Sequence, residues 1–180
     1  MADVPLTTTV ALAAVGYVVT YANSVRLENR KTRLKHLSDQ IQYLYGPLFS
    51  LSHASQQAWR SFRSRHRPGR PFFEPGDPLS ADELWAWRLW MVEVFMPLNL
   101  QMEKVIVDNA HLIEGAEMPQ PFTDLLAHVE VYRIVLRKWT LNDLSEHTAY
   151  LEYPKALDTY VAETYHALTR QQTKLLEAFN

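Results

Sequence analysis

The start of this chain constrains it most: from Val4 to Val25 there are 22 consecutive residues without a charge. Wound as a helix at about 1.5 Å per residue, the run is roughly 33 Å long, and a bilayer's hydrocarbon core is about 30 Å thick. Its centre, Val10 to Val19, is apolar on every face and lacks the polar stripe of a surface helix. Thr7, Thr8, Thr9 and Thr20 lower the hydrophobicity at both ends. Tyr17 and Tyr21 stand toward the C-terminal end, where amphipathic rings favour a membrane interface. The run predicts a membrane-spanning helix over residues 1–25 and a helical body over residues 26–180. The competing reading is a helix buried against the body or against a partner.

Charge orients this helix. Arg26, Arg30, Lys31, Arg33 and Lys35 follow it, and only Asp3 precedes it. The positive-inside rule then puts the N-terminus outside and the body in the cytoplasm, as a single-pass membrane protein. A secretory leader would need basic residues before the apolar run, and Met1 to Pro5 offers none.

The body reads as helices. From Leu27 the positions Leu34, Leu37, Ile41, Leu44, Leu48, Leu51, Ala58 and Phe62 alternate spacings of four and three, with Arg30 and Ser55 as polar exceptions. Between about 66 and 79, Pro68, Gly69, Pro71, Pro75, Gly76 and Pro78 predict a loop. Ser80 and Glu83 then have the spacing of a capping box. A second helix carries Leu84, Trp87, Met91, Val94, Leu98, Val105 and Leu112 on one stripe. A third carries Phe122, Leu125, Val129, Tyr132, Leu136 and Trp139, and a fourth, from Lys155, carries Leu157, Val161, Thr164, Leu168 and Leu175. Asn142 to Pro154 fits a loop or a short turn. The expected fold is all-α, with the N-terminal transmembrane helix followed by a four-helix-bundle-like body.

Two prolines fall inside these helices. Tyr45-Gly46-Pro47-Leu48 and Phe95-Met96-Pro97-Leu98 each set a proline before a seam leucine and two residues after an aromatic. An interior proline removes a backbone hydrogen bond and kinks its helix. If the two helices run antiparallel, the kinks are expected side by side, opening a ligand pocket lined by Tyr45, Pro47, Phe49, Phe95, Met96 and Pro97.

Catalytic chemistry is hard to find. The chain has no cysteine, which excludes disulfides, thiolate nucleophiles and Cys-based zinc sites. The seven histidines form no HExxH and no paired Glu-x-x-His, so His53, His111 and His128 remain a weak metal candidate and no cofactor is implied. There is no G-x-S-x-G and no glycine-rich phosphate loop. Nothing nominates an enzyme.

The net charge of −2 conceals a segregation: residues 1–70 hold 10 of the 18 Lys and Arg but only 3 of the 20 acids. Arg60, Arg63, Arg65, Arg67 and Arg70 form a candidate basic interaction patch, with Trp85, Trp90, Phe72 and Phe73 as a candidate aromatic surface beside it. Nucleic acid is disfavoured, because the other half of the body is acidic and carries no nucleic-acid-binding motif. The expectation is a membrane-anchored interaction module, an accessory or scaffold subunit bound to another protein in a membrane complex. The alternative is a ligand-binding or sensory bundle with its pocket at the Pro47 and Pro97 kinks.

Overall fold

The computed structural model describes residues 6–115 and 117–177, with side chains described in the first helix from Gly16 onward. The described residues are all-helical, with one isolated bridge between Glu74 and Asp77 and no strand. Six α-helical segments appear: α1 (Leu6–Asp39), α2 (Gly46–Arg65), α3 (Ala81–Trp90), α4 (Met96–Asp108), α5 (Gln120–Thr140) and α6 (Ala156–Glu177). There are six and not four because two long rods are each interrupted by a π-helical stretch. Gln40–Tyr45 joins α1 to α2, and Met91–Phe95 joins α3 to α4.

The prolines explain both interruptions. A proline ring collides with the carbonyl four residues earlier and cannot donate to it. A wider turn just before the proline avoids the collision. The Gly46 N–H accordingly reaches back five residues to the Ile41 carbonyl, and the Met96 N–H to that of Met91. The two bulges do not sit side by side as expected. Phe95 packs its ring 5.9 Å from Trp59 and 6.1 Å from Phe62, near the C-terminal end of α2. Gln40 donates from Nε2 to the Leu112 carbonyl at 2.8 Å, beyond the far end of α4. The rods are antiparallel, so the bulges lie at opposite ends, roughly 21 Å apart at about 1.5 Å per residue between Tyr45 and Trp59.

The second bulge also adds a residue to the helical phase and moves the buried stripe of its rod. In the second rod the buried stripe runs through Trp87, Met91, Phe95, Asn99, Met102 and Ile106, with Ala86 and Met96 buried beside it, while the expected Val94, Leu98 and Val105 are only half-buried. In the first rod Leu37, Leu44, Leu48, Ser55 and Phe62 are buried as expected, Ser52 joins them, and Leu51 is only half-buried. The core closes with Phe122, Leu125, Val129 and Tyr132 from α5 and Leu157, Val161 and Leu168 from α6. The helix pairs that pack are α2 with α4 and α6, α4 with α5, α5 with α6, and the end of α1 with α6.

The capping box forms as expected: Glu83 N donates to Ser80 Oγ at 3.2 Å, and Ser80 N to Glu83 Oε2 at 2.8 Å. The proline-rich loop before it is organised around Arg67, whose backbone is left-handed (φ 55°) and whose side chain is buried. Its guanidinium donates to both Glu83 oxygens, to Asp77 Oδ2, and to the carbonyls of Phe72, Asp77 and Pro78. Buried charge needs this degree of pairing, and the loop supplies it.

α1 projects from the body: side chains from Gly16 to Arg33 are exposed, Tyr17 at 73%, and burial begins at Leu37. Among the described residues no helix is long and apolar enough to cross a membrane. α1 has ample length, but its threonines, Tyr17, Tyr21, Asn23 and Ser24 dilute the apolar stretch, so the expected spanning helix is not supported by its hydropathy. The flank Met1 to Pro5, on which the orientation partly rested, lies outside the described residues.

Candidate functional site

The phase shift in the second rod has a consequence inside the body. Asn99 there, and Ser55 in the first rod, take buried seam positions where leucines would fill space. Small and polar groups there leave a cavity of about 570 Å³ between α2, the second π stretch, α4, α5 and the 148–155 segment. That volume falls within the roughly 300–1,000 Å³ of small-molecule sites.

One wall is aromatic: Trp59 from α2, Phe73 from the proline-rich loop, Trp87 from α3, and Phe95 with Met91 from the π stretch. These rings brace one another edge to face, Trp59 against Trp87 at 6.2 Å and 81°, and Phe73 against Trp87 at 5.2 Å and 83°. The opposite side is polar, with Asn99 on α4 and His128 and Tyr132 on α5. Ser55, Gln56, Tyr153 and Asp158 line a further edge.

The last wall is the segment after α5, which has no regular structure and is held by side-chain donors from the helices. Trp87 Nε1 donates to the His147 carbonyl at 2.7 Å and Trp139 Nε1 to that of Glu146 at 2.8 Å. His128 donates from Nδ1 to the Leu151 carbonyl at 2.7 Å, which leaves Nε2 as the acceptor of the neutral ring. Ala149 is buried beneath the segment and Tyr150 stands out in solvent. The segment turns off α5 at Asn142, one of the residue types that tolerates its left-handed φ of 62°.

Two polar atoms in this region have no partner: Asn99 Oδ1 and the Tyr132 hydroxyl, in residues only 2% and 3% exposed. The Trp87 indole N–H, a donor close to Tyr132, is committed to His147. Burial also pushes every perturbed titratable group of the site toward its neutral form. It lowers the His128 pKa, against the smaller opposing effect of the Leu151 carbonyl, and raises those of Tyr132 and Tyr153. It raises that of Asp158 too, although the Tyr153 hydroxyl donates to this carboxylate at 3.2 Å. Charge is thus disfavoured at each of these groups, and the cation Lys155 sits exposed at the rim of the cavity.

Of the pocket residues expected at the prolines, Phe95 alone lines this cavity. Tyr45 is buried elsewhere, 6.2 Å from Phe122 and 6.4 Å from Tyr160, with its hydroxyl 3.4 Å from that of Tyr160. Phe49 stacks on Tyr165 at 4.7 Å, and Met96 lies in the core. Pro47 and Pro97 follow the two bulges and are not part of the cavity's lining.

The five arginines do not form one surface. Arg67 is buried and leaves the patch, because it holds the loop together. Arg70 pairs with Asp77 at 2.6 Å. Arg63 donates to the His66 carbonyl and lies over the rings of Trp59 and Phe72. Arg60 and Arg65 remain exposed. The aromatic surface divides likewise: Trp85 is 65% exposed and Phe73 40%, whereas Phe72 is buried and Trp90 half-buried. Among the described residues, no three metal-ligating side chains come together, so His53, His111 and His128 do not form a metal site.

Sequence reasoning missed Asn99, Tyr132 as a site residue, and the whole 148–155 wall. The signal within reach was Ser55, a polar break in an otherwise apolar seam. No protein-family model, no curated protein and no solved structure matches this chain.

Proposed function

We propose that this protein is a small-molecule-binding helical module whose ligand sits in the cavity between Trp59, Phe95, Asn99 and Tyr132. One observation carries the reading: a roomy aromatic cavity is lined by Asn99 and Tyr132, whose Oδ1 and hydroxyl are buried and left unpaired by the protein itself. Folded proteins rarely leave such groups unsatisfied, since each costs about 1–3 kcal/mol. A ligand supplying the missing hydrogen bonds recovers that cost. Among the described residues no metal cluster accompanies these groups, and binding is the function that the unpaired polar atoms support.

The test is a titration of the full chain with N-phenyl-1-naphthylamine, an uncharged dye whose emission rises in apolar sites. Saturable one-site binding is expected, with a melting temperature that rises with dye concentration. Ser55→Phe, which fills the cavity from α2, should abolish both effects. Non-saturating fluorescence, or binding indifferent to Ser55→Phe, would remove the cavity from consideration.

A second reading is favoured by α1. Its exposed Tyr17, Val18, Val19, Tyr21 and Val25 leave apolar surface without a partner in the body, and the cationic run from Arg26 to Lys35 follows. In this reading α1 anchors the module in a membrane, N-terminus outside and body in the cytoplasm, where it joins another protein as an accessory subunit. Flotation of the full chain with lipid vesicles, retained in high salt and lost on deleting residues 1–25, would support the anchor. Absence of flotation would refute it.

A further inference from the structure

The chemistry of the cavity narrows what it can hold. We infer that its ligand is an uncharged, planar heteroaromatic molecule with a hydrogen-bond donor beside an acceptor on one edge, set against the Asn99 carboxamide, with its ring among Trp59, Trp87 and Phe95. This rests on the binding reading above and deepens it.

The shape follows from the walls. Trp59, Trp87 and Phe95 present rigid rings in mutual contact: Trp59 meets both of the others edge to face, Phe95 at 5.9 Å and 64°, and Trp87 lies tilted on Phe95 at 5.9 Å. Flat π-systems gain more from such walls than flexible chains, which lose rotational freedom on entering. The polarity follows from Asn99. A carboxamide carries an acceptor oxygen beside a donor nitrogen, so an edge that reverses the order satisfies both at once. The same logic lets asparagine read adenine bidentately. Asn99 lines the cavity from α4, almost wholly buried, and its oxygen has neither a partner in the protein nor accessible surface, so the ligand's edge meets it by turning the carboxamide toward the cavity. The Tyr132 hydroxyl can donate or accept, and His128 accepts at Nε2 because Nδ1 is taken by Leu151.

The absence of charge follows from the deep end of the cavity. Asn99, Tyr132 and a neutral His128 offer no counter-ion there, and an unpaired charge would lose its hydration with nothing to replace it. The charged groups, Glu152, Lys155 and Asp158, line the far edge, contributed by the 148–155 wall and the start of α6.

Calorimetric titration of the full chain with three probes tests this: 2-quinolinone, its N-methyl derivative, and naphthalene. The lactam keeps donor and acceptor, methylation removes the donor, and naphthalene has neither. The expected order places 2-quinolinone about ten-fold or more ahead of the other two, the discrimination typical of one buried hydrogen bond. In Asn99→Leu, checked for a cooperative melt, that advantage should fall to about one-fold while naphthalene binding persists. Equal affinities in the wild type overturn the inference, and so does a methylation penalty surviving in Asn99→Leu, which would signal a clash and not a lost hydrogen bond. If the naphthylamine dye binds but the lactam gains nothing over naphthalene, the cavity stands and this ligand class falls. If none of the four compounds binds, both readings fall together.

Discussion

Asn99→Leu should stabilise the protein, a sign opposite to that of most buried substitutions. Asn99 is 2% exposed and its Oδ1 has no hydrogen-bond partner, so the folded state carries the desolvation of an unpaired carbonyl, about 1–3 kcal/mol. Leucine removes that term and is the better helix former by a few tenths of a kcal/mol. Its two methyl groups replace the amide oxygen and nitrogen atom for atom, and their slightly larger bulk has room because the side chain borders the cavity. Some hydrophobic gain is forfeited, since an empty cavity offers fewer contacts than a filled one. A net stabilisation of about 1–2 kcal/mol results, which for a chain of this size raises the melting temperature by about 2–8 °C. Urea unfolding followed by far-UV circular dichroism reads it as a higher midpoint at unchanged slope. Destabilisation by about 1 kcal/mol or more would mean that Asn99 is satisfied within the protein, and the argument from an open carboxamide would collapse. The same residue then sets stability against binding, as expected where a site keeps a polar group for its ligand.

Three further outcomes check other parts of the structure. Gly46→Ala would gain about 1 kcal/mol in an ordinary helix. Here the new Cβ would meet the Ile41 carbonyl oxygen across the π turn, so a lowered urea midpoint is expected, and a raised one would mean the turn is not π-helical. The Arg67 guanidinium, followed by the Ser80 amide, holds the Glu83 carboxyl at about 2, well below its ordinary 4.5. A depressed carboxyl contributes stability above its unfolded pKa and loses it as pH falls toward the folded one. Wild type should therefore weaken between about pH 4.5 and pH 2, and Arg67→Leu, less stable at neutral pH, should show a flatter acid arm; parallel pH curves would disconnect the two residues. Deleting residues 1–25 should leave the melting of the body unchanged, because the described side chains of residues 16–25 are all exposed. Aggregation or loss of the cooperative melt would place that helix in the core.

Local chemistry in the sequence determined a good deal of this protein. Helical periodicity, the scarcity of glycine outside the loops and the lack of alternating runs made an all-α chain. Proline density ended α2 and Ser80 with Glu83 began α3, because these depend on residues a few positions apart. The uncharged N-terminal run is equally visible, and the helix forms over it, though with less hydrophobicity than a span demands.

What only the tertiary structure decided was which faces turn inward. A proline announces a distortion, but a kink and a π bulge differ by one residue of helical phase, and that residue moved the second rod's stripe from Leu98 and Val105 to Asn99, Met102 and Ile106. Arg67 reads as a surface cation until the loop folds back and brings five acceptor groups around it. The cavity's last wall is an irregular segment with no periodicity, positioned by donors such as Trp87, 60 residues away in sequence. Local patterns set which elements form; the phase at which they meet, and the space left between them, exist only once distant residues pack.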